Sequence, residues 1–218
     1  MYAILCMRPD ISYALNITSR YQANPGEQHW AAVKTILKYL RRTKDMFLMY
    51  GDCSEMKVIG YCDVSFQTDR DDSRSQTGYL FTLKGGAVSW KSSKQSTTVY
   101  STTDAEYITA SEAAKEVVWI KKFITELEVF PEVKSGVTMF CDNTGAIAQS
   151  KEPRSHQRSK HVLRRYHLIR EIVERKDVII EKIPTDDNLA DSLTKALTQQ
   201  KHDRHTREYG VQIHTIWL

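Results

Sequence analysis

No apolar run in this chain of 218 residues approaches the length of a membrane span. Its four cysteines, at positions 6, 53, 62 and 141, show neither Cys-x-x-Cys spacing nor the density of a disulfide scaffold. The opening "MYAILCMRPD" is interrupted too soon, by Arg8 and Pro9, to serve as a secretory signal. Internal repeats and low-complexity segments are missing as well. These absences argue against a membrane partner and predict a reduced, intracellular chain, cytoplasmic or nuclear.

What is present is an ordinary globular balance, 41% hydrophobic and 27% charged, so a sizeable core is within reach. The net charge of +4 is only mildly basic. Its distribution says more: residues 151–170 hold seven Lys or Arg against the single acid Glu152. Such a concentration suits a polyanionic partner, although a solvated helix face accounts for it equally well.

Periodicity divides the chain. Over 1–50 it predicts a helical hairpin, with Asp10 capping the first helix, "NPG" at 24–26 turning the chain, and Trp30, Val33, Leu37 and Leu40 striping the second. From Lys57 the period becomes strand-like: "KVIGYCDVSF", then "TGYLFTLK" and "AVSWKS" joined by a Gly85-Gly86 hairpin turn. A long amphipathic helix follows over 101–127, its stripe running Ala110, Ala113, Val117, Ile120, Ile124 and Leu127. Next come strand "GVTMFCD", a short helix from Asn143, a basic helix over 157–175, strand "DVIIEKIP" and a last helix "DNLADSLTKAL". This order predicts a mixed sheet flanked by helices. The final twenty residues read as a loosely packed extension.

Four carboxylates sit where burial is expected. Extended by one step, the stripe of the long helix lands on Glu106. Asp63 lies mid-strand between Cys62 and Val64, where Asp is depleted. Asp142 ends an apolar strand, and Asp191 falls among Leu189, Ala190 and Leu193. The bland alternatives are a cap at Asp142 and a surface position favourable to the helix dipole at Asp191. A buried unpaired carboxylate costs several kcal/mol, on the order of a domain's whole stability. Converging acids also repel unless a divalent cation intervenes. With no His or Cys at metal-ligand spacing beside them, all-oxygen ligation selects Mg²⁺ or Mn²⁺. Two such ions about 4 Å apart are the arrangement for in-line phosphodiester displacement.

"YCD", "STTDAEY", "FCDN" and "NLADSLTK", in that order, resemble the ribonuclease H domain of copia-type retrotransposon Pol polyproteins; "SQTGYLF", "AVSWKSSKQ", "RSKHVLRRYHLIRE" and "DVIIEKIPT" agree with it. Upstream, "RPDISYALNITSRYQANPGEQHWAAVKTILKYLRRT" resembles the segment that ends the reverse transcriptase. The resemblance implies an α/β fold: a ribonuclease H-like mixed five-stranded sheet flanked by helices, over 57–198, preceded by the helical hairpin (1–50) and followed by the extension (199–218). It implies cleavage of the RNA strand of RNA–DNA hybrids with two Mg²⁺ (or Mn²⁺) ions. Asp63 and Asp142 would bridge or hold the two ions, Glu106 would bind one and orient water, and Asp191 would complete the second ion's ligand shell. Thr102, Thr103 and Asn143 would contact the hybrid, reading 2′-hydroxyl groups, with helix capping as their plain alternative. Arg158, Lys160, Arg164 and Arg165 would face backbone phosphates. Two departures stand out: "PTDDN" lacks the mobile histidine that precedes the fourth acid in cellular relatives, and no Tyr-x-Asp-Asp polymerase motif is present. In the parent polyprotein the hairpin would pack on the reverse transcriptase body. A nucleic-acid-binding remnant without activity, beginning inside the polymerase end, and a DNA nuclease of the same broad fold are the competing readings.

Overall fold

The computed structural model describes residues 6–51, 57–69, 71–128, 136–152 and 166–213. After a 3₁₀ turn at Pro9–Ile11, α1 (Ser12–Ser19) and α2 (Glu27–Arg42) form the expected hairpin. Strand β1 (Met46–Leu48) leads to β2 (Val58–Ser65), β3 (Gln76–Leu83) and β4 (Gly86–Lys94). Helix α3 (Thr102–Glu126), β5 (Val137–Cys141), α4 (Thr144–Lys151), α5 (Leu168–Glu174) and β6 (Val178–Lys182) follow. Two 3₁₀ turns, Thr185–Asp187 and Leu189–Leu193, precede α6 (Gln199–Glu208) and β7 (Val211–Ile213).

The main sheet has five strands in the order β4-β3-β2-β5-β6. Pairing is antiparallel on the β4-β3-β2 side and parallel from β2 through β5 to β6. It is therefore the mixed five-stranded sheet with flanking helices that the sequence predicts. One face carries the larger core: Cys62, Phe81 and Met139 from the strands meet Ala110, Ala113, Val117 and Ile120 of α3 and Ile169 of α5. The predicted α3 stripe is buried except at its end, where Leu127 is exposed. Ser101 caps the helix by accepting from the Asp104 backbone N–H.

The opposite face is covered by the chain ends. Leu80 and Ala87 pack with Leu189, Leu193, Tyr209 and Val211, and β7 pairs antiparallel with β1. Residues 199–213 are thus a helix and a strand with His205 and Tyr209 fully buried, rather than the loose extension expected. Helix α1 is tied to the β2–β3 loop by the Arg20–Asp69 ion pair at 2.6 Å and to the sheet by Gln76, which donates to Asn16 at 3.1 Å and to Ser92 at 2.8 Å.

Other expectations need correction. Asp10 caps nothing: it is buried, paired with Arg8 at 2.7 Å, and accepts from the Tyr39 hydroxyl at 2.7 Å. Trp30 and Leu37 of the α2 stripe point outward, and Ile36 faces in. The hairpin turn is Lys84-Gly85, both at positive φ, because Gly86 is already the first residue of β4. A Cβ at Gly86 would lie 2.4 Å from the Met49 carbonyl oxygen. "DNLADSLTKAL" forms a tight 3₁₀ turn instead of a helix. It is pressed on β3 at Gly78, where a Cβ would meet Thr194 at 2.6 Å and Leu193 at 2.9 Å.

Candidate active site

Four elements deliver the four acids. Asp63 stands near the C-terminal end of β2, 2% exposed, and Asp142 directly follows β5, the parallel neighbour of β2. Glu106 rides on the second turn of α3 and is 5% exposed; Asp191 in the 3₁₀ turn is fully buried. The Asn188 side chain holds that turn against β2, donating to the Cys62 carbonyl at 2.9 Å while its oxygen accepts from the Ala190 N–H. Neither bland alternative survives. Asn143, not Asp142, caps α4, its Oδ1 accepting from the Ala146 N–H at 3.0 Å, and Asp191 is not on the surface.

Electrostatics tie the acids together. Burial, followed by the Asp191 charge, pushes the Asp63 carboxyl up to about 7, with Asp142 adding to the effect. Lys195 and the Thr194 hydroxyl, which donates to Asp63 Oδ2, oppose the rise. Glu106 is raised well above the ordinary carboxylate range, by burial and then by Asp63, Cys141 and Asp142. Its Oε2 is buried without a hydrogen-bond partner. Ligand atoms of Glu106, Cys141 and Asp142 all lie within 4.8 Å of one another. A carboxyl oxygen buried without a donor, in a pocket where neighbouring charges push Asp63 and Glu106 up, is what a bound divalent cation would relieve. The donor set fits a hard cation on its oxygen side. The Cys141 thiol, read in the sequence only as a strand residue, is the third member of this set, a correction to the expectation of acids with no Cys beside them.

Sequence reasoning also missed the cations. Lys195 Nζ lies 2.8 Å from Asp191 Oδ1 and 3.9 Å from Asp63 Oδ2. Lys201, in the first turn of α6, lies 2.8 Å from Asp191 Oδ2 and 3.0 Å from Asp186 Oδ1. The spacing of Lys195, four residues after Asp191, was a readable signal; nothing in the sequence pointed to Lys201. The Thr185 hydroxyl donates to Asp142 Oδ2 at 2.8 Å, from the "PTDDN" stretch that lacks a histidine.

Of the expected hybrid contacts, Thr102 is exposed and Thr103 half-buried at the start of α3. Because Ser101 supplies the cap, neither threonine is needed for it. Asn143 spends its oxygen on α4 and keeps its amide nitrogen. Arg158, Lys160, Arg164 and Arg165 lie outside the described residues. The described part of the basic helix, α5, buries Ile169 and Ile172.

No protein-family model matches the chain. It is 44% identical over 203 residues to the "Retrovirus-related Pol polyprotein from transposon TNT 1-94" of Nicotiana tabacum, covering 93% of this chain and 15% of that protein. It is 35% identical over 204 residues to the "Retrovirus-related Pol polyprotein from transposon RE2" of Arabidopsis thaliana, covering 94% of this chain and 14% of that protein. The chain thus spans about 15% of the length of these relatives. Among solved structures it is similar to LC11-RNase H1, isolated from compost, with a TM-score of 0.48 and 19% identity over 69% of this chain and 98% of that one. With the order of motifs, the mixed sheet and similarity over 93–94% of this chain to transposon polyproteins in hand, the chain belongs with the retrovirus-related Pol polyproteins of plant transposons, consistent with a copia-type ribonuclease H region.

Proposed function

We propose that this region is an endoribonuclease that cleaves the RNA strand of RNA–DNA hybrids by phosphodiester hydrolysis. Asp63, Glu106, Asp142 and Asp191 are the catalytic acids and would hold two Mg²⁺ ions, with Mn²⁺ as a substitute. The observation that carries this reading is Glu106 Oε2, buried and unpartnered, in a group where Glu106 and Asp142 offer ligand atoms within 4.8 Å of one another and Asp63 feels the charges of Asp142 and Asp191. The chemistry that two bound ions supply is activation of the attacking water and stabilisation of the leaving oxygen.

The protein's own groups do the rest. Asp63 and Asp142, on adjacent parallel strands, fix the spacing of the ligands through the rigid sheet. Glu106 orients the attacking water with the oxygen that no protein donor occupies. Thr194 and Asn188 hold the Asp63 and Asp191 carboxyls in register. The Thr102 and Thr103 hydroxyls, not needed for the Ser101 cap, and the Asn143 amide are assigned to reading 2′-hydroxyls of the RNA strand. Arg158, Lys160, Arg164 and Arg165 are assigned to backbone phosphates, and the reverse transcriptase body of the parent polyprotein is the partner of the N-terminal hairpin.

The test is cleavage of an end-labelled RNA–DNA hybrid by the purified chain, with Mg²⁺ and with EDTA. Duplex DNA and single-stranded RNA of the same sequence run in parallel. RNA fragments are expected from the hybrid alone, and only with the metal. A second reading, hybrid binding without cutting, draws on the two lysine ammoniums that already neutralise Asp191. Salt-sensitive binding with no metal-dependent fragments would favour it.

A further inference from the structure

The four acids differ in what already holds them. Both Asp191 oxygens face an ammonium, Lys195 on one side and Lys201 on the other, each at 2.8 Å. Asp63 has the Thr194 hydroxyl and, at 3.9 Å, Lys195. Among the described residues no ion pair reaches Glu106 or Asp142. One side of the pocket is open to a cation and the other is already occupied by one.

Lys195 belongs to the same tight turn as Asp191. Lys201 does not: it comes from α6, the helix of the C-terminal segment, and its side chain is 20% exposed. It has a second anchor in the outward-facing Asp186 at 3.0 Å, and it also reaches the Thr185 carbonyl at 3.5 Å. It can therefore release Asp191 and stay bound at the rim of the pocket. The helix that carries it is gripped from the N-terminal segment. The neighbouring His202 ring meets the Asp10 carbonyl oxygen at 3.2 Å and stands edge-on to Tyr39, ring centres 5.7 Å apart. Asp10 is fixed in turn by Arg8 and by the Tyr39 hydroxyl. Arg204 donates to the Asp186 carbonyl from the same helix.

We infer that the Lys201 ammonium is a resident counter-ion of Asp191 that competes with a divalent cation for that carboxylate. Ion binding on the Asp191 side is then the weaker of two binding events, and its strength is set by where the N-terminal hairpin holds α6. The inference rests on the metal-ion reading of the pocket given above. Its physical basis is that an ammonium already neutralising a buried carboxylate offsets the charge that would attract a divalent cation and repels the incoming ion. Removing a unit charge a few ångströms from the incoming ion strengthens its binding by about tenfold or more, even with substantial screening.

The experiment titrates the whole chain with Mn²⁺, following heat by calorimetry and free ion by electron paramagnetic resonance. Wild type, Lys201→Met and Lys201→Arg are compared. In the wild type a tighter and a weaker event are expected. Lys201→Met should tighten the weaker event about tenfold or more, leaving the tighter one within about threefold, and Lys201→Arg should keep the wild-type weakness. Melting curves provide a second readout if Lys201→Met folds poorly without metal: the rise in Tm from EDTA to saturating Mn²⁺ should exceed that of the wild type. Unchanged or weakened Mn²⁺ binding in Lys201→Met would overturn the inference and leave the metal-ion reading standing. If the wild type takes up no Mn²⁺, both fail together.

Discussion

The two faces of the sheet are built on different principles. Under α3 the contacts are apolar and periodic, from Ala110 to Ile124. On the other face the chain ends supply a smaller apolar patch and a mesh of ion pairs and hydrogen bonds: Arg8 with Asp10, Arg20 with Asp69, Lys201 with Asp191. The acid pocket lies where the two systems meet. Its carboxylates at Asp63, Glu106 and Asp142 are placed by sheet and long helix, and its cations come from the segment after β6. The comparison teaches that ligand spacing rests on the rigid, apolar half, while the local charge is set by the polar half.

Changes to the carboxylates on the apolar side should have the largest effect. Asp63→Asn and Asp142→Asn should each reduce hybrid cleavage to background while circular dichroism and cooperative melting stay those of a folded chain. Next comes the contact between the halves. Gly78→Ala places a methyl 2.6 Å from Thr194 and 2.9 Å from Leu193. It should cost about 1–3 kcal/mol in urea unfolding and weaken metal binding by shifting Asp191. An unaffected midpoint would show that the 3₁₀ turn yields without consequence.

Within the polar half, Tyr39→Phe removes the hydroxyl donor to Asp10. Its loss should lower stability by about 1–2 kcal/mol while hybrid cleavage under saturating Mg²⁺ persists. A larger fall in cleavage than in stability would mean that the N-terminal hairpin acts on the chemistry itself. The smallest effect concerns pH. Asp63 is pushed up to about 7 by burial and by Asp191, and Glu106 is raised too; in the unfolded chain both ionise near pH 4. Between those limits the folded state keeps protons that the unfolded state has released. The stability these groups contribute is therefore lost as pH rises through that window. In EDTA, Asp63→Asn should gain on the wild type in Tm by on the order of a few degrees between pH 5 and 7.5. A gap independent of pH would contradict the shift.

Legibility followed the same division. The α3 helix, the five strands of the main sheet and the placement of Glu106 on a buried stripe were readable, because period and burial reinforce one another there. The polar half was not. Helix α6, "QQKHDRHTRE", contains no aliphatic residue, so no stripe announces that His205 and Thr206 are buried. Strands β1 and β7 are three residues each, too short for a period. Asp10 had the look of a cap, and only the fold brings Tyr39 to it across 29 residues. Lys201 reads as a solvated charge until the chain reverses after Leu193. The turn falls at Lys84-Gly85, one residue earlier than expected, because Gly86 already belongs to β4, where Met49 and Tyr50 leave no room for a side chain.

The central claim, that these four carboxylates form a metal-dependent site for cutting RNA in hybrids, is tested most directly by one cleavage time course. Wild type and Asp63→Asn are followed on the same labelled RNA–DNA hybrid, with Mg²⁺ and with EDTA. The account predicts fragments only from wild type with Mg²⁺. Fragments that persist in EDTA, or that Asp63→Asn produces at near wild-type rate, would contradict it.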